Sequence, residues 1–259
     1  MKNKTILITG GSSGIGLEMA KFLVKLGNKV IVCGRSKERL ENAKEQIPEL
    51  VTIQCDITKS SDRETLHEKI IMQFGHLDML INNAGIVKRF LIAKNVDLEN
   101  EIIQEWQTNY LAPVLLTQKF INLLSSSKGT VVNVSSGLAY LPLFIQPNYC
   151  ATKAALHSMS LSMRIQFNKI GINVVEIFFP AVDTPFQQGY TPKDAIKSEL
   201  AAQIAIQGLI KGKNEIHVKN ARLIFLLSRI MPNKALKIIS GFVPKNFEEI
   251  LANKSKQAD

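Results

Sequence analysis

Tyr149 and Lys153 stand four residues apart in Tyr149-Cys150-Ala151-Thr152-Lys153, so in a helix the phenol and the ammonium share one face, about one turn apart. Such a pair can move protons. A free tyrosine titrates near pH 10 or so, and a neighbouring cation favours the phenolate. The spacing therefore predicts a phenol that Lys153 lowers toward neutrality and that serves as a general acid or base. A lone Tyr-x-x-x-Lys is incidental in many helices, so its meaning depends on what the other segments bring to it.

Those segments begin with Thr5-Ile6-Leu7-Ile8-Thr9, a β-branched apolar run that predicts a strand. It stops at Gly10-Gly11-Ser12-Ser13-Gly14-Ile15-Gly16, and helical periodicity follows from Leu17 to Leu26. Glycines between strand and helix permit a tight turn and close backbone approach, and the helix N-terminus offers free N–H groups to a phosphate. The pattern Thr-Gly-x-x-x-Gly-x-Gly in that place points to a dinucleotide site. A second strand, Lys29 to Cys33, ends at Gly34-Arg35-Ser36 before a helix over Lys37 to Gln46. An acid at that strand end would hydrogen-bond a ribose 2′-hydroxyl and repel a 2′-phosphate. Glycine followed by arginine leaves room for the phosphate and supplies donors, which favours NADP, with NAD as the alternative.

The remaining chain repeats the strand–helix alternation. Val51 to Cys55 predicts a third strand, followed by Asp56, which also suits a turn or helix cap, and by a helix over Ser60 to Phe74. Asp78 to Ile81 predicts a fourth strand running into Asn82-Asn83-Ala84-Gly85. Glu101 to Thr108 and Leu111 to Leu124 form one helix, or two joined near Asn109 and Pro113. Gly129 to Val134 predicts a fifth strand opening into Ser135-Ser136, and Tyr149 to Lys169 a helix. A sixth strand over Ile172 to Phe178, a loop from Phe179 to Thr184, a helix over Pro192 to Lys211 and a short strand over Glu215 to Val218 complete the order. This is the α/β pattern of a doubly wound parallel sheet, Rossmann-type, of about seven strands, in which ligands bind at the carboxyl edge.

Composition narrows the partners. The chain has 259 residues, 46% hydrophobic and 21% charged, which fits one globular domain. Lysine and arginine outnumber acids 32 to 22, a net charge of +10 that suits an anionic cofactor or surface. The basic residues form no long run, which argues against nucleic acid. Cys33, Cys55 and Cys150 make neither a disulfide framework nor a metal motif, so reduced thiols in the cytoplasm and no metal are expected. His67, His76, His157 and His217 are scattered. No apolar run is long enough to span a bilayer, and nothing at the start reads as a signal peptide.

Assembled in order, Thr9-Gly10-x-x-x-Gly14-x-Gly16, Asp56, Asn82-Asn83-Ala84-Gly85, Asn109, and Ser136 ahead of Tyr149-x-x-x-Lys153 resemble the short-chain dehydrogenase/reductase family, from Thr5 to about Thr184. The resemblance implies an NAD(P)-dependent oxidoreductase. It assigns catalysis to Asn109, Ser136, Tyr149 and Lys153: Tyr149 as proton donor or acceptor, Lys153 lowering its pKa and holding the nicotinamide ribose, Ser136 bonding the substrate oxygen, and Asn109 fixing a water behind Lys153. It assigns cofactor binding to Gly10, Ser12, Ser13, Gly14, Ile15, Gly16, Arg35, Asp56, Ile57, Asn83, Ala84, Gly85, Val182 and Thr184, with Tyr149 and Lys153 shared. The chain departs from the family at Phe179-Pro180, where Pro-Gly is usual, and lacks the usual glycine-rich finish. Cys150 to Ser158, Val182-Asp183-Thr184 and the tail are similar to the bacterial DltE-like oxidoreductases.

The tail reads separately. Leu223, Leu226, Leu227 and Ile230, then Leu236, Ile239 and Val243, recur at helical spacing with Arg222, Arg229, Lys234 and Lys237 interleaved. Residues 1–219 are read as the Rossmann-type unit and 220–259 as its amphipathic helical extension, which caps the cleft, touches a membrane surface or forms an interface. Apolar residues in the loops Val87 to Asn100, Gly137 to Asn148 and Phe186 to Thr191 predict a carbonyl or alcohol substrate with an apolar portion. A homodimer through the Asn109–Leu124 and Tyr149–Lys169 helices, or a higher homo-oligomer, is implied by the resemblance. Other readings are an NAD-linked alcohol dehydrogenase, or a dinucleotide-binding sensor or scaffold without turnover.

Overall fold

The structure, a computed structural model, describes residues 1–94, 97–187, 192, 194–243 and 247. Two segments named above, 188–191 of the Phe186 to Thr191 loop and 248–259 of the tail, lie outside the described residues, as do residues 95 and 96.

Seven strands form one parallel sheet: β1 (Thr5–Thr9), β2 (Lys29–Gly34), β3 (Val51–Gln54), β4 (Met79–Asn82), β5 (Thr130–Ser136), β6 (Asn173–Phe179) and, at the far edge, β9 (Glu215–His217). Their order is β3-β2-β1-β4-β5-β6-β9. The chain winds outward from β1 in one direction and from β4 in the other, so the carboxyl ends of these neighbours part and leave a crevice. Ile6, Leu7 and Ile8 of β1 are fully buried because helices cover both faces of the sheet, the condition under which strands read as continuous apolar runs.

On one face α1 (Gly14–Lys25), α2 (Lys37–Gln46) and α7 (Ser198–Ile210) enclose Ile6, Ile8, Val32, Ile81 and Val132. On the other α3 (Ser60–Phe74), α5 (Ala112–Ser126) and α6 (Pro147–Asn168) pack Leu116, Phe120 and Phe167 against Leu7, Ile31 and Leu80. The long helical stretch before β5 is two helices joined around Asn109, the second of the two expected arrangements. It consists of α4 (Leu98–Trp106), a π-helical turn over Gln107–Leu111 and α5, and the widened turn carries Asn109 inward to full burial.

Three expectations are corrected. Ser135 and Ser136 are the last residues of β5, paired with Phe178 and Phe179 of β6, rather than the start of a loop. Val182–Asp183 forms a short strand, β7, paired in parallel with β8 (Ile196–Lys197). The following helix accordingly starts at Ser198, because Ile196 and Lys197 are spent on that pairing. Beyond β9, α8 (Ala221–Ile230) and α9 (Pro232–Gly241) form a helical pair. No described helix is long and apolar enough to cross a membrane.

Candidate active site

The carboxyl ends of β1 and β4 are tied together before any ligand is considered. The Thr9 hydroxyl accepts the backbone N–H groups of Asn83 and Ala84, each at 3.0 Å, and Asn83 Nδ2 donates to the carbonyls of Thr9 at 2.9 Å and Gly10 at 3.2 Å. This closeness explains two glycines. Gly10 has a φ of +64°, and a Cβ on it would lie 2.9 Å from the Ala84 Cα. A Cβ on Gly16 would lie 2.5 Å from Asn83 Nδ2. Ser13, the N-cap of α1, makes no side-chain cap and the first turn of α1 holds no acid, so its N–H groups face the crevice with their dipole uncompensated.

A cavity of about 920 Å³ runs from this turn across the sheet edge. It collects every residue predicted for cofactor binding: Gly10, Ser12, Ser13, Gly14, Ile15 and Gly16 at the glycine turn; Arg35, Asp56 and Ile57 past β2 and β3; Asn83, Ala84 and Gly85 past β4; and Val182 and Thr184 on the loop after β6. Burial works to raise the Asp56 carboxyl, but two hydrogen bonds from Thr58 and the nearby Arg35 and Lys59 outweigh it and leave its pKa below the usual range. The sequence reading missed Arg39. It sits on the first turn of α2, four residues beyond Arg35, and lines the same end of the cavity. The available signal was a second arginine in the first turn of the helix that follows Arg35.

At the other end the cavity is lined by Ser136, Tyr149 and Lys153. Lys153 is 4% exposed, donates to the Val134 carbonyl at 2.8 Å, and its Nζ lies 5.7 Å from the centre of the Tyr149 ring. Burial pulls its ammonium down to a pKa of about 8, against the opposing pull of Glu176 and Glu105. Burial likewise dominates Tyr149, with Cys150 adding to it. A hydrogen bond with Ser136 pulls back only in part, so the phenol lies above the ordinary tyrosine value. The predicted lowering by Lys153 is therefore not found: burial raises the phenol, the counteracting pulls come from Ser136 and Arg89, and the Lys153 ammonium is directed to the β5 backbone.

Each of these side chains is held from behind. Asn148, which precedes Tyr149, accepts from Trp106 Nε1 at 2.9 Å and donates to the buried Glu105 at 2.7 Å, fixing the start of α6. Asn109 does not line the cavity. Its amide brackets Ile86, accepting the Ile86 N–H at 2.8 Å and donating to the Ile86 carbonyl at 2.9 Å. It stays close to the site, since a Cβ on Gly85 would lie 3.3 Å from Asn109 Oδ1 and 3.9 Å from Lys153 Nζ. Ser136 accepts the Leu138 N–H at 3.1 Å. Ser135, also in the cavity wall, is buried and its hydroxyl has no hydrogen-bond partner among the described residues.

The tail completes the wall. Leu223, Ile224 and Leu227 of α8 and Ala235, Ile238, Ile239 and Phe242 of α9 with its C-cap line the cavity together with Leu138, Leu141 and Leu143. Among the described residues no group of three or more His, Cys, Asp or Glu is placed to hold a metal.

Comparison with known proteins agrees with this arrangement. Residues 4–195 match the family described as short chain dehydrogenase. The chain is 45% identical over 222 residues to the uncharacterized oxidoreductase DltE of Bacillus subtilis, an alignment covering 83% of this chain and 88% of that protein. It is 30% identical over 243 residues to a fatty acyl-CoA reductase of Acinetobacter baylyi, covering 90% and 82%. In fold it resembles a short chain dehydrogenase from Burkholderia cenocepacia solved in complex with NADP, with a TM-score of 0.82 over 94% of this chain and 99% of that one at 23% identity. A short chain dehydrogenase/reductase from Burkholderia phymatum solved in complex with NAD gives 0.80 over 88% and 92% at 16% identity. With a family match across most of its length and a close relative among the DltE oxidoreductases, the chain belongs to the NAD(P)-dependent short-chain dehydrogenase/reductase family, in its DltE-like subgroup.

Proposed function

We propose that the protein transfers a hydride between NADP(H) and a carbonyl/secondary alcohol pair bearing an apolar portion, with Tyr149 as general acid in reduction and general base in oxidation. The observation that carries this reading is the meeting of Ser136, Tyr149 and Lys153 in the wall of the cavity that also opens over the glycine turn. The residues fit a dinucleotide: the turn has no room for a Cβ at Gly10 or Gly16, the first N–H groups of α1 are uncapped, and Ser135 turns an unsatisfied hydroxyl into the wall. Arg35 and Arg39 at the end of the cavity where a 2′-phosphate would lie support NADP over NAD.

Hydride donation or acceptance is the chemistry that the dinucleotide supplies when bound. The chain's own residues manage the oxygen. Charge builds on the carbonyl oxygen during reduction, and the Ser136 hydroxyl, which donates to the Phe179 carbonyl at a long 3.4 Å, turns its proton to that oxygen. Tyr149 passes its proton to that oxygen. Lys153 keeps a buried cation 5.7 Å from the centre of the Tyr149 ring, a counter-charge for the phenolate left behind that does not offset the ring's burial. Asn109, locked on Ile86 next to Lys153, belongs to the route by which the proton is replaced.

The reading includes a cytoplasmic homodimer through α5 and α6, supported by exposed Leu161 and Ile165 on α6 and Leu111 at the start of α5. It also includes peripheral contact with the inner membrane face through Leu226 and Ile230, flanked by Arg222 and Arg229. Light scattering and co-sedimentation with anionic vesicles test these two points. The central test is calorimetric titration with NADPH and NADH, followed by a screen of carbonyl compounds. Tighter NADPH binding and turnover of an apolar carbonyl are expected; failure to bind either dinucleotide sinks the reading.

A further inference from the structure

We propose that the apolar portion of the substrate is a long unbranched hydrocarbon chain, seated along the cavity-lining side chains of α8 and α9 with its carbonyl end at Ser136 and Tyr149. The inference rests on the hydride-transfer reading and names the substrate class of the same site.

The side chains of α8 divide into two sets with different work. Phe225 lies edge-on to Tyr140 with ring centres 5.0 Å apart and 5.4 Å from the His217 ring, and Tyr140 and His217 both stack on Phe178 of β6. Phe225, with the fully buried Ala221, thus anchors the helix to the sheet. Leu223 and Leu227 line the cavity, as does Ile224, which also packs on Gly137. On α9, Ala235, Ile238, Ile239 and Phe242 recur at the spacing of one helical face and line the cavity along two turns, roughly 10 Å of wall at the rise of an α-helix.

This wall begins at the reacting end. A Cβ on Gly137, the residue after Ser136, would lie 3.0 Å from Ile224 Cδ1, so α8 rests directly on the turn that carries the serine. Leu138, Leu141 and Leu143 extend the lining, and the Phe186 ring stands 5.8 Å from the Tyr149 ring. The polar side chains Gln146, Gln187, Asp194 and Asn220 also line the cavity, but none of them stands within α8 or α9. Sugar hydroxyls laid along the two helices would therefore lose water without gaining partners there.

The outer end of the wall is open. Leu223, Ile238 and Phe242 line the cavity and yet remain 56%, 51% and 70% exposed. A short substrate would leave them in water. A chain lying along them removes their surface and its own, which is the free energy this part of the cleft can contribute to selection.

The test is a series of unbranched aldehydes from four to twelve carbons. With NADPH present, kcat/KM is expected to rise roughly three- to fourfold per methylene while the chain still meets the wall. A flat or falling series overturns the proposal. Ile238→Ser and Phe242→Ser change side chains that already reach solvent, so the fold tolerates them. Each is expected to lower kcat/KM for the twelve-carbon aldehyde at least tenfold more than for the four-carbon one, whereas Met72→Ser on α3 leaves the ratio unchanged. Equal losses for both aldehydes, or a change in oligomeric state caused by the α9 substitutions, overturn the proposal, the latter by making the groove an interface between copies.

Binding without turnover separates this inference from the reading beneath it. In Tyr149→Phe protein saturated with NADPH, calorimetry is expected to show dodecan-1-ol binding at least a hundredfold tighter than butan-1-ol, and Phe242→Ser is expected to remove at least tenfold of that. Equal binding of the two alcohols overturns the chain site even where turnover is intact. Selective dodecanol binding by a protein that reduces no aldehyde supports the chain site and sinks hydride transfer alone.

Discussion

Lys153 donates to the carbonyl of Val134 at 2.8 Å while its Nζ lies 5.7 Å from the centre of the Tyr149 ring, so α6 fastens its buried cation to β5 rather than to the phenol it accompanies. The ammonium is thereby fixed in place without being neutralised. Its burial is costly, and that cost gives the site a measurable pH signature.

The ordinary lysine value is 10.5, and Lys153 is brought down to about 8. Between those values the unfolded chain holds a proton that the folded protein does not, so this group's contribution to stability grows as pH rises through that window. Below about pH 8 the buried charge costs the fold at most about 3 kcal/mol. Lys153→Met is expected to be more stable than the parent in urea at pH 7, by about 1–3 kcal/mol, and to lose that advantage by pH 10. The same difference at both values would refute the assignment.

Tyr149→Phe removes the hydroxyl and little else, because the ring remains packed beside Phe186 and Lys153. Turnover is expected to fall by about 10²–10⁴-fold, the span of general acid catalysis, with NADPH affinity kept within a few-fold. Steady-state kinetics and calorimetry on the same preparation check both halves. Retained turnover would remove Tyr149 from the mechanism.

Arg35 and Arg39 line one end of the cavity together. Arg35→Ala is expected to weaken NADPH binding about tenfold, and the double substitution with Arg39→Ala further, each charge-assisted contact being worth about 1.5–3 kcal/mol. NADH binding should hardly move. A parallel loss for both cofactors would assign the arginines to general attraction and not to a 2′-phosphate.

Gly16→Ala places a Cβ 2.5 Å from Asn83 Nδ2 and 2.6 Å from the Gly10 carbonyl. Backbone is on one side and a doubly bonded amide on the other, so neither neighbour gives way easily. A destabilisation of about 1–3 kcal/mol is expected, with a loss of dinucleotide affinity larger than that of Arg35→Ala. Unaltered thermal unfolding and cofactor binding would show that the turn is looser than its geometry implies.

Much of this architecture was legible in the sequence because its signals are local. Strand, glycine turn and helix follow one another between Thr5 and Lys25, and four residues from Tyr149 to Lys153 set their common face. What escaped was non-local. The pairing of Val182–Asp183 with Ile196–Lys197 joins segments separated by a loop and has no period to announce it. The π-turn that buries Asn109 is a matter of one extra residue in a helical run. The direction of the Tyr149 shift depends on burial, which comes from Val87, Leu138, Leu143 and Phe186 in the loops packed around it as well as from α6. Spacing alone shows the cation but not the desolvation that raises the phenol.

Because α8 and α9 come after β9, and meet the rest of the chain through Ala221, Phe225 and Ile224, this wall of the cleft is built from chain that adds no strand to the sheet. Its solvent-reaching residues Leu223, Ile238 and Phe242 touch neither the strand register nor the glycine turn. Substrate choice is thus free to diverge among descendants of one catalytic frame, and grafting residues 220–243 from a relative offers an engineer the same freedom in a single step.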